Sequence, residues 1–367
     1  MKEKLVCDQL ILGAGVIGLA VAAETGDAST VLVEAHDGFG RETSSRNSEV
    51  IHSGIHYPPN SLKTHHCIEG LQALYSFAER YRIPYKQCGK LVVAFSPEET
   101  AHLDRIEMHA KSLDVPCERL SRANAREKES HLDVQGALFF PKTGIIDSHK
   151  FMAALETKAV EQGVVMAYRH RVTGIGYASR VWHITVESSD GEMQIETPVV
   201  VNAAGLSAAF LSNVALNTRK YAHRFCRGRY FQMAAKYRSH FQHLVYPVPQ
   251  VHGLGVHTTS DLEGYLKLGP DVDWCPDSDP ALLAKYYTCD WEALRPAFAE
   301  AGRKLVPQLT EEDLTPGTIG IRPKLFIDDK PHPDFLVETH KGWTHFLGIE
   351  SPGLTSALSL ARFLKSE

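Results

Sequence analysis

A short apolar strand, Leu10 to Leu12, runs directly into Gly13-Ala-Gly15-Val-Ile-Gly18 and then into a small-residue helix through Ala20, Ala22 and Ala23. No other feature restricts the fold of this chain as strongly. The first glycine permits a tight turn, the second lets backbone approach a pyrophosphate, and the third lets the helix pack close on the strand. Unpaired amides at the helix start then present a positive end to an anion. A second strand, Val31 to Val33, ends in Glu34, about twenty positions after the first glycine, where a carboxylate reaches ribose hydroxyls. This order of elements predicts a doubly wound nucleotide-binding domain holding a dinucleotide, with Gly13, Gly15, Val16, Ile17, Gly18, Glu34 and Ala35 as candidate contacts. An acid at position 34 disfavours NADP, whose 2′-phosphate it would repel.

The chain has 367 residues, beyond the size at which one hydrophobic core stops growing, so two domains sharing a cleft are expected. A formal net charge of -5 argues against nucleic acid as a partner. Arg219 to Arg229 is basic but short and reads as a solvated loop or strand edge. The seven cysteines are scattered, without a Cys-x-x-Cys pair, which fits a reducing compartment. The N-terminal apolar stretch is too short for a signal peptide or a membrane span, so a cytoplasmic protein is expected, with any membrane contact peripheral.

Periodicity predicts a helix over 62–80 with Ile68, Leu71, Leu74 and Phe77 on one face, a strand at 90–95, a helix at 97–113 and a strand at 136–140. A helix over 151–162, capped at Asp147-Ser148, is followed by strands at 164–168, 181–187 and 193–197, and then by the apolar run Val199 to Gly205. Strands are expected at 230–233 and 254–258, an acidic helical segment at 277–305, a strand at 344–348 and a last helix at 354–364. The fold class is α/β. Residues 1–85, 143–212 and 321–367 form a Rossmann-like, glutathione-reductase-like nucleotide domain, and 86–142 and 213–320 a discontinuous α+β substrate domain on an antiparallel sheet.

Two stretches turn the dinucleotide into FAD. Val199-Val-Val-Asn-Ala-Ala-Gly205 ends in the small residues Ala203, Ala204 and Gly205, as needed where backbone passes close to a nucleotide. Leu347 to Thr355 places Gly353, Leu354 and Thr355 at the start of the last helix, whose amides would face the flavin edge that gains negative charge on reduction.

With these segments the chain resembles the FAD-dependent D-amino-acid oxidase-like superfamily and, within it, the L-2-hydroxyglutarate dehydrogenases. The resemblance spans the chain and is carried by Thr43 to Tyr57, Gly89 to Val93, Thr143 to Asp147, Gly253 to His257, Gly320 to Lys324 and Ile349 to Thr355. It implies a flavin at the domain interface with substrate beneath it, Ser44, Ser45, Arg46, Asn47 and Ser48 along pyrophosphate and flavin, and Val172 meeting the adenine through its backbone. Relatives that bind flavin covalently carry a histidine about where Asn47 stands, so noncovalent FAD is expected. The span from Gly18 to Glu34 is slightly shorter than is usual in such families, which trims the first helix or its loop.

Oxidising a 2-hydroxy acid needs hydride transfer from the carbinol carbon to flavin N5, removal of the hydroxyl proton, and an anchor for the carboxylate. His52 and His257 are the candidates for base and substrate orientation, because histidine titrates near neutrality. Arg322 is the candidate carboxylate clamp, for its planar fork. Tyr57, Lys90 and Tyr246 are weaker candidates, the tyrosines equally readable as core aromatics and Lys90 as a solvated strand residue. His52 and His56 have metal-like spacing, but 51–57 reads as extended and no carboxylate completes a site there or at His65 and His66, so no metal is expected. The activity expected is oxidation of a small carboxylate-bearing substrate such as L-2-hydroxyglutarate. Oxidation of an amino acid or secondary amine is the enzymatic alternative, and a nucleotide-fold binding protein the non-enzymatic one. Oxygen, a quinone or a carrier protein remain open as electron acceptor.

Overall fold

The computed structural model describes residues 3–248 and 256–366. The glycine turn sits at the centre of a six-stranded sheet ordered 165–168, 30–34, 9–12, 199–202, 343–347 and 336–340. The first five strands are parallel, and the last, Leu336–His340, is antiparallel to its neighbour. Leu10, Ile11 and Leu12 are fully buried, as a strand covered on both faces must be.

Helices Val16–Thr25, Leu62–Tyr81, Ser148–Glu161 and Gly353–Ser366 supply one covering layer. Local chemistry sets their starts. The Ser61 hydroxyl accepts the Thr64 N–H, and the Asp147 carboxylate accepts the Lys150 N–H. The cap therefore starts that helix at Ser148, earlier than its first apolar residue indicates. A Cβ on Gly70 would lie 2.2 Å from the Thr355 carbonyl oxygen, so the helices 62–81 and 353–366 meet backbone to backbone.

The other face is covered by a four-stranded sheet of Glu3–Val6, Gly191–Thr197, Val181–Ser188 and Arg171–Ala178. Its Trp182, Ile184 and Val186 pack on Leu10, Leu12 and Trp343. The strand Arg171–Ala178 is absent from the sequence reading because Gly174 and Gly176 interrupt its pattern; pairing with Val181–Ser188 makes it a strand.

The second layer system is a ten-stranded sheet. Its long strands Tyr221–Met233 and Leu314–Ile327 pair antiparallel along most of their length, while Lys90–Ala94 lies between Gly136–Phe140 and, in parallel, Leu244–Pro247. The basic stretch 219–229 is thus not a solvated loop or strand edge. It lies largely within an interior strand whose Arg227 and Arg229 pair with Asp273 and Asp271, which neutralises the charge that suggested exposure. The strand 314–327 also runs through position 321, so backbone pairing continues across the boundary drawn there. The acidic segment 277–305 breaks into a 3-10 helix, Pro280–Tyr287, and an α-helix, Trp291–Gly302, that starts at the Asp290 cap. Phe298 from that helix packs on Phe231.

The strand expected at 254–258 is observed as His257–Ser260, with 254 and 255 outside the described residues. The extended reading of 51–57 holds only at its start, since the strand Val50–Ile51 gives way to a turn over 54–57. Among the described residues no helix is long and apolar enough to cross a membrane.

Candidate active site

A cavity of about 1570 Å³ opens along the C-terminal ends of the parallel strands and continues against the ten-stranded sheet. That exceeds the 300–1,000 Å³ usual for a drug-sized ligand and suits a dinucleotide with a substrate beside it. Its cradle is backbone. Gly13 has φ of +101°, and a Cβ there would sit 2.7 Å from the Ala203 carbonyl oxygen; one on Gly18 would sit 1.9 Å from the Gly13 carbonyl oxygen. Gly15, at the N-cap of the first helix, has no side chain to cap it, and Val16 N–H is met by Ser44 Oγ at 3.0 Å. The Ser44 hydroxyl keeps its proton for an anion at that helix end.

Glu34 Oε2 accepts the Ala14 N–H at 2.8 Å and Oε1 accepts the His36 N–H at 2.7 Å. Each oxygen retains a lone pair for a ribose hydroxyl. Val16, Ile17, Ala35, Val172, Ala203, Ala204 and Gly205 line the same end of the cavity. At the other end lie Gly353 and Leu354, at the start of the last helix, next to Glu350, whose charge is compensated by Lys63 and Lys324 at 2.9 and 2.8 Å. Arg46, Asn47 and Ser48 line the middle. The Arg46 guanidinium lies 4.4 Å above the Tyr287 ring, and its Nε has no hydrogen-bond partner among the described residues. Asn47 braces its loop, donating to Ser44 O and accepting from Glu49 N–H.

Three expected cofactor contacts do other work. Gly18 packs the helix on the turn and does not line the cavity. Ser45 points outward, its hydroxyl on Glu42 O. The buried Thr355 hydroxyl accepts the His52 N–H and donates to Val50 O, so it holds the His52 loop.

The opposite wall carries the chemistry. Arg322 lines the cavity with its guanidinium donating to the carbonyls of Cys226, Arg227 and Asp271 at 3.4, 3.1 and 2.8 Å. Among the described residues it has no acidic partner. His257 and Tyr246 stack with ring centroids 3.7 Å apart, and His257 Nδ1 and the Tyr246 hydroxyl both lack partners there. His52 Nε2 lies 3.3 Å from Ser351 Oγ, which is 3.3 Å from the Tyr57 hydroxyl.

Lys90 is not a solvated strand residue. It is 0% exposed, because both neighbouring strands bury its face of the sheet, and its Nζ lies 3.2 Å from His56 Nε2 and 5.2 Å from the Tyr246 ring centre. Lys90 and Tyr57 stand behind the cavity wall, whereas Tyr246, His52, His257 and Arg322 form it.

Burial and then the nearby Lys90 charge push His52 down to about 3; burial, His52, Lys90 and Arg322 push His257 down to about 3. His56 keeps an accessible face, yet burial of the rest of its ring and the surrounding positive groups hold it well below its ordinary value. Lys90 itself falls to about 8 through burial. The near-neutral histidine base expected from the sequence is therefore absent in this charge state: both imidazoles are neutral and weak as bases until an anion beside them raises their affinity for a proton.

Sequence reasoning missed Tyr230, hydrogen-bonded to Ser48, and Tyr287 under Arg46. It also considered His56 only as a metal ligand, a role it rejected. Gly320 was a readable signal, for a Cβ there would lie 2.1 Å from the Arg46 carbonyl oxygen. The expectation that no carboxylate joins His65 and His66 is overturned by Glu69, one helical turn on.

The chain is similar along its whole length to known flavoenzymes. It is 36% identical to the mitochondrial L-2-hydroxyglutarate dehydrogenase of Arabidopsis thaliana, over 100% of this chain and 84% of that protein. To the L-2-hydroxyglutarate dehydrogenase of Escherichia coli K12 it is 25% identical, over 98% and 92%. Its fold matches the FAD-bound L-alpha-glycerophosphate oxidase of Mycoplasma pneumoniae with a TM-score of 0.85, at 23% identity over 97% and 93%. Glycine oxidase from Geobacillus kaustophilus matches with a TM-score of 0.81, at 19% identity over 99% and 94%. The glycine cradle, the bare helix end and the free lone pairs of Glu34 fit FAD, and with the model for "FAD dependent oxidoreductase" matching residues 8–366, the chain belongs to the DAO family of FAD-dependent oxidoreductases.

Proposed function

We propose that this enzyme oxidises the secondary alcohol of an L-2-hydroxy dicarboxylate, with L-2-hydroxyglutarate the favoured substrate, using noncovalently held FAD. One observation carries the reading: Arg322 faces the cavity, fixed by three backbone carbonyls and without an acidic partner among the described residues, while buried Lys90, also without one, lies behind the aromatic wall. Two uncompensated cations around one cavity favour a dianion over a zwitterionic amino acid, whose ammonium group they would repel. The names of the similar plant and bacterial enzymes support the same substrate.

FAD, when bound, supplies the hydride acceptor. Arg322 binds the carboxylate beside the reacting carbon through its fork, preorganised by the carbonyls that hold it. His52 or His257 holds the proton leaving the hydroxyl, its affinity raised by the anion that Arg322 brings in. The Tyr246–His257 stack excludes water from that face. Ser351 and Tyr57 orient His52 through their hydroxyls. The seven free cysteines support a cytoplasmic setting, although the similar plant enzyme is mitochondrial.

The test is anaerobic mixing of the purified yellow protein with L- and D-2-hydroxyglutarate, glycine and sarcosine, scored by bleaching of the flavin band. The L-hydroxy acid is expected to bleach it and the others to react far more slowly. Arg322→Ala should lower kcat/KM for L-2-hydroxyglutarate by about a hundredfold or more. Bleaching by glycine or sarcosine but not by the hydroxy acid would establish amine oxidation instead.

A further inference from the structure

The antiparallel edge of the six-stranded sheet carries a cluster that the flavin chemistry does not use. Glu338 and His345 are directly opposite across the strand pair Leu336–His340 and Trp343–Leu347. His340, two residues beyond Glu338, falls on the same face by strand alternation. One ligand atom from each of the three lies within 4.8 Å of the other two. The Glu338 Oε2 to His340 Nε2 distance is 3.4 Å, and Glu338 Oε2 to His345 Nε2 is 3.6 Å. A tetrahedral zinc site with bonds of about 2.0–2.1 Å has ligand-to-ligand edges of about 3.3–3.4 Å, close to what the apo side chains already span.

His345 supplies the independent observation. It is 0% exposed, and neither ring nitrogen has a hydrogen-bond partner among the described residues. Orphaned buried nitrogens are costly and uncommon in native structures, and this ring turns Nε2 toward the Glu338 carboxylate. The Tyr221 hydroxyl donates to Glu338 Oε2 at 2.8 Å, the kind of outer contact that fixes a ligand's orientation.

We propose that Glu338, His340 and His345 bind a divalent transition ion of the zinc class, with water completing the coordination. Two imidazoles and one carboxylate suit zinc over calcium or magnesium, which take oxygen ligands almost exclusively. The bound ion ties the sheet's edge strand to its neighbour and, through Tyr221, to the first residue of the long strand Tyr221–Met233. Its role is to clamp the edge.

The second three-residue cluster, His65, His66 and Glu69, also has a buried nitrogen without a partner among the described residues, His66 Nε2, but only one nitrogen of that ring is left over, against both in His345. Ser359 Oγ lies 2.8 Å from His66 Nδ1 and donates to Glu69 Oε2 at 2.9 Å, and the Arg362 side chain lines the same hollow. Ser359 thus occupies one nitrogen of His66 and one oxygen of Glu69, and Arg362, held by Glu24, stands beside them.

The test uses the FAD-loaded enzyme, stripped with a chelator, desalted, and titrated with zinc chloride by calorimetry, with Tm followed in parallel. Wild type should bind one equivalent, and its Tm should rise with free zinc concentration. His340→Ala, at an exposed edge where truncation spares the core, should weaken binding at least tenfold, as should the near-isosteric Glu338→Gln. His65→Ala should bind as wild type does. Absence of zinc binding in wild type, unchanged affinity in His340→Ala, or loss of binding in His65→Ala would each overturn the assignment.

Discussion

The two ends of the cavity are built on different principles. The nucleotide end is a backbone device: Gly13, Gly15 and Gly18 shape a turn, Ala203 and Ala204 crowd it, and the Glu34 carboxylate is anchored by two amides. The substrate end is a side-chain device, assembled from His52, Tyr246, His257 and Arg322 on four separate strands and loops with Lys90 behind them. Steric fit controls the first, so its tolerance is set in tenths of an ångström. Uncompensated charge controls the second, so its tolerance is set by pH and by the charge of what enters.

Breaking the cradle should have the largest effect. Gly18→Val places a branched side chain where even a Cβ lies 1.9 Å from the Gly13 carbonyl oxygen. The turn must move, and FAD content per protein chain should fall by about tenfold or more, read from the flavin-to-protein absorbance ratio. A variant that purifies as yellow as wild type would mean that the turn yields far more easily than its geometry indicates.

Removing the buried charge should be smaller and should separate the two ends. Lys90→Met keeps the length of the side chain and leaves FAD content unchanged, but KM for L-2-hydroxyglutarate should rise about tenfold. Lys90 falls to about 8 in the folded protein from an ordinary 10.5, so the folded state binds fewer protons than the unfolded one between those values. Its contribution to stability is therefore unfavourable below pH 8 and improves as pH rises through that window. Lys90→Met should accordingly raise Tm at pH 7, and the decline of wild-type substrate affinity as pH climbs past about 8 should disappear in the variant. A Tm that falls instead would show that the ammonium group is better solvated than its burial implies.

The smallest effect tests whether the acid of the cradle acts by charge or by position. Glu34→Gln retains one oxygen acceptor and loses the other along with the charge. FAD affinity should drop only about fivefold to tenfold, as for one ordinary net hydrogen bond, measured by equilibrium titration of the apoprotein.

The same division explains what was legible in the sequence. Gly13 to Gly18, Glu34 and the apolar runs at 10–12 and 199–202 all lie within local patterns whose meaning does not depend on distant residues, and the sheet they predict is the sheet observed. Lys90 could be read only as one polar residue in a strand, because its burial depends on Gly136–Phe140 and Leu244–Pro247 closing on either side. The arginines of 221–233 looked exposed because Asp271 and Asp273, which neutralise them, are some forty positions away in sequence. Thr355 looked like a cofactor contact because it stands at a helix start, yet the His52 loop claims its hydroxyl.

Sequence by itself determined the nucleotide fold, the cofactor class and the residues that had to be small, since backbone conformation and close approach are local properties of glycine and alanine. Tertiary structure decided which polar side chains face the cavity, which stand behind it and what their protonation is. Those depend on the charges and buried surface that residues hundreds of positions apart bring to the same few ångströms.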